Sequence, residues 1–142
     1  MPVKDLRTRR DNQQWMLDLA LNMRGRVQNF ERDDWETPKR AHNYRMLPKM
    51  WREKAEHDEN LAKQAQKQGF NTTATEHYDH AIEGYRMAQH PIFYDDNPVK
   101  ISTYNKLSEM VDRRSEVASY PIERVEVPFD DGKTISCLLH LL

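Results

Sequence analysis

Residues 51–89 read WREKAEHDENLAKQAQKQGFNTTATEHYDHAIEGYRMAQ, and the fold class turns on how this stretch divides. Trp51, Ala55, Ala62 and Ala65 recur at helical spacing with charged residues between them, and the run closes on Gly69. That spacing puts the four on one helix face, and a glycine just past the last turn can take the left-handed conformation that ends a helix. A helix over 49–68 is expected. Thr73 and Glu76 are then spaced as a capping box, and Ala74, Tyr78, Ala81, Tyr85 and Ala88 make a second stripe. Small residues on both stripes let two backbones come close, and the short connection makes the pair an antiparallel αα-hairpin.

Upstream, Trp15, Met16, Leu19, Met23, Val27 and Phe30 suit a helix over 12–30 with one buried face, weakened by Gly25. Residues 31–38 are charged and close on Pro38, a loop that carries Trp35, and a further helical stretch begins after Pro48. Downstream, Pro91 ends the second helix of the pair. Asn97 followed by Pro98 reads as an N-cap with proline at the first helical position. Ile101, Tyr104, Leu107, Val111 and Ala118 supply the apolar face of a third long helix, which Pro121 stops.

The period then changes from helical to alternating. Ile122–Val127 and Thr134–Leu142 read as strands around the turn Asp130, Asp131, Gly132, Lys133, with Ile135, Cys137, Leu139 and Leu141 on one face. The expected fold class is mainly α: a helical module over residues 1–120, built on an αα-hairpin plus a third helix, followed by a β-hairpin over 121–142. Two strands alone are marginal in water, and Leu138, Leu139, Leu141 and Leu142 leave this hairpin little polar face. It is expected to need more sheet, so the chain reads as a piece that stops inside a larger fold, the alternative being a hairpin docked on the helices.

Composition narrows the function classes. Lys and Arg number 22 against 23 Asp and Glu, so no large net field attracts nucleic acid or an anionic membrane. The basic run Lys4, Arg7, Arg9, Arg10 reads as a solvated terminus. A mean hydropathy of -0.99 describes wet helices, while three Trp, six Tyr and four Phe provide a thin aromatic core. Cys137 stands alone, which leaves no internal disulfide and fits a reducing compartment. No apolar run reaches the length of a membrane span and no signal-peptide pattern opens the chain, so a cytoplasmic location is expected.

The chemistry-bearing motifs are largely missing. With four Gly in the chain there is no G-x-S-x-G nucleophile elbow, no phosphate loop and no dinucleotide fingerprint. His77 and His80, beside Glu76 and Asp79, put imidazole and carboxylate on one helix turn, where a metal could use them. Without H-E-x-x-H or the Glu-x-x-His of di-iron bundles, they read as solvated helix surface, and no metal or cofactor is expected. His42, His57, His90 and His140 are scattered. The stripe at Ala62, Ala65, Gly69, Ala74, Tyr78 and Ala81 follows much of a tetratricopeptide spacing, but it occurs once, and a solenoid needs about three repeats.

Taken together, Trp51, Ala55, Ala62, Gly69, Ala74, Tyr78, Ala81, Tyr85, Ala88 and Gln89, then IERVEVPF over 122–129 and the Asp131-Gly132 turn, carry a resemblance. The order resembles the N-terminal region of helical-cap α/β-hydrolases, the group that includes dihydroxypseudooxynicotine hydrolase and the fungal polyketide-shortening hydrolases of pigment synthesis. It covers residues 49–142 well and 12–48 loosely.

The resemblance implies an all-α cap leading into the first strands of a hydrolase sheet. It also implies a parent enzyme that cleaves a carbon–carbon or ester bond through a Ser, Asp and His triad, without cofactor. No catalytic residue carries over to any position here. The implied partner is the parent's small-molecule substrate, with self-association into a homodimer as a further expectation. Met23, Phe30 and Trp35 are the expected pocket-lining residues, whereas Trp51, Tyr78 and Tyr85 are expected in the helix-pair core. The alternative reading is a stand-alone helical interaction module without catalysis.

Overall fold

The computed structural model describes residues 43–141. A single 3-10 turn at Tyr44–Met46 leads into α1 (Leu47–Lys67), followed by α2 (Asn71–Gln89) and α3 (Pro98–Glu116). An antiparallel hairpin of β1 (Ile122–Pro128) and β2 (Thr134–His140) completes the described chain. The architecture is mainly helical with a terminal two-stranded ribbon, as the sequence leads one to expect. The helix over 12–30 and the loop over 31–38 lie outside the described residues.

α1 carries Pro48 in its first turn, where a fixed φ and a missing N–H are suited. It closes in a Schellman arrangement around Gly69, at φ +78: the Phe70 N–H bonds the Ala65 carbonyl at 2.9 Å and the Gly69 N–H bonds Gln66 at 3.0 Å. This turn is so tight that α2 begins at Asn71, with the Phe70 carbonyl already accepting from Ala74 at 2.9 Å. The capping box read at Thr73 and Glu76 therefore does not form, because both residues already lie inside the helix. Thr75 bonds its hydroxyl back to the Asn71 carbonyl instead.

The three-residue link makes α1 and α2 antiparallel, and their stripes of small residues face each other. Ala55, Ala62, Ala65, Ala74, Tyr78, Ala81 and Tyr85 form one buried cluster with Met110 and Val117 from the end of the helical unit. A second cluster joins Tyr44, Leu47 and Trp51 to Ala88. The closest approach is at Gly84, where an added Cβ would stand 2.8 Å from the Ala55 Cβ and 3.2 Å from its Cα. α2 is the central helix, packed on α1 along one side and on α3 along the other.

α3 starts as its sequence dictates: the Asn97 side chain accepts from the Val99 N–H at 2.9 Å, and Pro98 opens the helix. Its rotation does not follow the expected face. Thr103, Leu107, Met110 and Val117 point to the core, while Ile101 and Tyr104 are exposed. The helix is turned by about one residue, or roughly 100°. Two contacts explain this. Thr103 satisfies its hydroxyl on the Val99 carbonyl at 2.7 Å and so can be buried, and Lys106 reaches Glu59 of α1 at 2.8 Å only from this face.

The hairpin turns at Asp130–Gly132, with Asp131 and Gly132 both in the left-handed region, at φ 57 and 73. Aspartate tolerates that region better than most residues because its short side chain bonds locally. In register, Val125 lies opposite Cys137 and Val127 opposite Ile135.

Candidate functional site

Two buried carboxylates lie next to each other on the core face of α1, Asp58 and Glu59, one helical turn past Ala55. A charge on such a face requires partners, and both have them. Glu59 accepts from Lys63 of its own helix, from Lys106 of α3 at 2.8 Å, and from the Tyr85 hydroxyl of α2. All three helices are thus tied to one carboxylate. Burial pushes the Glu59 carboxyl up, but the Lys106, Lys63 and Tyr85 hydrogen bonds outweigh it and hold the pKa down at about 2. Burial, reinforced by that carboxylate, pushes the Tyr85 phenol well above its ordinary value, so it remains a donor. With every partner satisfied and the carboxylate locked ionised, this node is structural.

Asp58 faces the other way, toward α2. Its Oδ1 is 3.1 Å from His77 Nδ1 and 3.9 Å from His80 Nδ1, while Oδ2 accepts from Lys54 at 3.3 Å. One donor atom from each of Asp58, His77 and His80 falls within a mutual distance of 4.8 Å. The Asp58 side chain is 9% exposed, His77 28% and His80 57%, so the cluster runs from the core to the surface. The two rings meet edge to face at 6.1 Å. The carboxylate beside these histidines is not the one their neighbours in sequence suggest: Asp79 pairs with Arg114 at 3.1 Å, and Glu76 sits in the cleft at the start of α2. Among the described residues no Ser, Thr or Cys bonds either ring.

The third feature is the hairpin. Alternation places Val125, Val127, Ile135, Cys137 and Leu139 on one face, and Arg124, Ser136, Leu138 and His140 on the other. Two side chains of the second face reach the helical end of the molecule, but the face is not covered, and Leu138 on it is exposed. Arg124 pairs with Asp112 of α3 at 2.6 Å, and His140 lies 3.2 Å from the Tyr120 hydroxyl. The backbone adds one bond, from the Leu141 N–H to the Pro121 carbonyl at 3.0 Å. On the first face Val127, Ile135 and Leu139 are exposed, with Leu141 and Phe129 beside them, while Val125 is half-buried. All of β2 is exposed, and each strand has one unpaired edge.

Of the residues singled out from sequence, Trp51, Tyr78 and Tyr85 are core, as expected. Met23, Phe30 and Trp35 lie outside the described residues. A cleft of about 530 Å³ opens beside the start of α1, floored by the Arg52–Glu56 and Lys49–Glu53 ion pairs and walled by Ile92 and Val99. Asp58 was missed, although its place on the Ala55–Ala62 stripe marks it as buried and in need of a partner. Among the described residues no helix is long and apolar enough to cross a membrane. Compared with models of known protein families and with curated proteins, the chain matches none.

Proposed function

We propose that this chain is a non-catalytic cap: α1 to α3 roof a pocket for a small-molecule substrate, and the hairpin joins the sheet of an α/β-hydrolase-type body. The observation that carries this reading is the exposure of the hairpin. Arg124 ties it to α3, while apolar residues of both its faces, Leu138 as well as Val127, Ile135 and Leu139, are exposed, as suits a strand pair that belongs to a larger sheet. Among its described residues the helical unit holds carboxylates and imidazoles but no activated nucleophile, so its contribution is shape and exclusion of water.

Two measurements test it. The reading frame beyond codon 142 is expected to encode a G-x-S-x-G elbow within the roughly 200 codons a core of ordinary domain size needs. Its absence there sinks the reading. The purified chain is expected to give no ester turnover above background.

A second reading, a self-standing helical interaction module, is favoured by one observation: the three helices close their own core without the hairpin. Sedimentation separates the two. A monodisperse, cooperatively unfolding monomer or dimer favours the module. Aggregation that Ile135→Glu suppresses favours a hairpin lacking its sheet.

A further inference from the structure

We infer that Asp58, His77 and His80 form a binding site for a divalent transition-metal ion, with Zn2+ the best match to the donors. This inference does not depend on the cap reading. Two imidazoles and one carboxylate are a donor set that zinc accepts, and three protein ligands leave a coordination position for water. His77 and His80 are three residues apart on α2, so both rings project from one face over the same patch of α1. Asp58 rises from α1 to meet them.

The two donor separations from Asp58 are close to what an ion requires, and all three donors lie within 4.8 Å of one another. Bonds of about 2.0–2.1 Å at tetrahedral angles set donor atoms roughly 3.3 Å apart. The separations from Asp58 Oδ1 are 3.1 Å to His77 and 3.9 Å to His80. The second needs only a small rotation of a ring that is more than half exposed. The carboxylate is already oriented from behind, because Lys54 holds Oδ2 and leaves Oδ1 to the histidines. Ligating carboxylates are commonly fixed by such outer hydrogen bonds. The frame is also rigid: Ala55, one turn before Asp58, is in contact with Gly84, one turn after His80.

A hydrogen bond joins Asp58 to His77, whereas His80, at 3.9 Å, is within ion-pair reach of Asp58 but beyond a hydrogen bond. His80 is therefore the discriminating residue. It lies at the surface, and His80→Gln leaves the Asp58–His77 bond and the fold intact.

The experiment titrates the full chain with Zn2+ by calorimetry and with Co2+ by visible absorption, which reports coordination number. One equivalent is expected to bind, with Co2+ bands of a four- or five-coordinate site. His80→Gln and His77→Gln should each weaken binding about tenfold or more. Far-UV circular dichroism and the metal-free melting temperature of His80→Gln should not change. His57→Gln and His90→Gln, as controls, should bind like the parent. Absence of saturable binding up to about 1 mM metal overturns the proposal. So does an affinity that survives His80→Gln, because the ion would then be held elsewhere.

Discussion

Gly84→Ala tests the helix-pair geometry where it is tightest. The new Cβ would stand 2.8 Å from the Ala55 Cβ, 3.2 Å from its Cα and 3.3 Å from its N. Ordinary carbon contacts begin near 3.5 Å, so α1 and α2 must separate by about 0.7 Å or more, or tilt. Backbone and Cβ atoms cannot rotate away as a long side chain could. Overpacking of this kind costs roughly 1–3 kcal/mol. Replacing a helical glycine by alanine returns about 1 kcal/mol through helix propensity, so the net expected loss is about 0–2 kcal/mol. Urea unfolding followed by circular dichroism measures it, with an unchanged m-value showing that only stability moved. The double variant Ala55→Gly/Gly84→Ala removes the opposing Cβ. It should be more stable than the two single losses predict by about 1 kcal/mol. A Gly84→Ala chain more stable than its parent by about 1 kcal/mol, the full propensity gain, refutes the close approach, because propensity alone would then govern the site.

The remaining predictions concern single contacts. The folded pKa of Glu59, about 2, lies below its ordinary 4.5, so the stability it contributes is present above pH 4.5 and lost as pH falls toward 2. The ceiling of that contribution is about 3 kcal/mol, and screening at the partly exposed lysines brings it to roughly 1–2 kcal/mol. Urea midpoints of parent and Glu59→Gln should therefore converge over that pH window, and a constant gap would refute the network. Gly69→Ala has no neighbour to strike but keeps a left-handed φ, so it should cost about 1 kcal/mol by the same assay. Asn97→Ala removes the cap of α3 and should lose about 1 kcal/mol, with faster amide exchange at Val99 and Lys100.

The helix pair was legible because alanines at spacings of three and four mark a buried stripe whatever lies between them, and Gly69 marks its end. The face of α3 was not, because apolar residues run round the helix. Val99, Ile101 and Tyr104 compete with Leu107 and Met110, so hydrophobicity alone does not choose a rotation. The choice is made by polar atoms: Thr103 bonding its own backbone and Lys106 reaching Glu59. The capping box failed for a similar reason. Thr73 and Glu76 have the right spacing, but the tight turn around Gly69 starts α2 before they can act. Asp58 lay hidden in a charged run, where its partners 19 and 22 positions away are identified only once α1 and α2 are laid side by side.

These features are not independent. Ala55, Asp58 and Glu59 span about one turn of α1, and each meets α2 or α3 through a distance-limited contact: Gly84, the histidines, and Tyr85 with Lys106. A hydrogen bond of 3.1 Å between Asp58 and His77 that is stretched by about 0.7 Å is no longer one. The small residues at 55 and 84 therefore do more than pack. They hold the helix axes close enough for two short carboxylates to reach across, and those carboxylates in turn fix the register and rotation that apolar residues leave open. A chain so rich in charge gets a single arrangement of its three described helices by filling their buried positions with small residues and paired charges rather than with bulk.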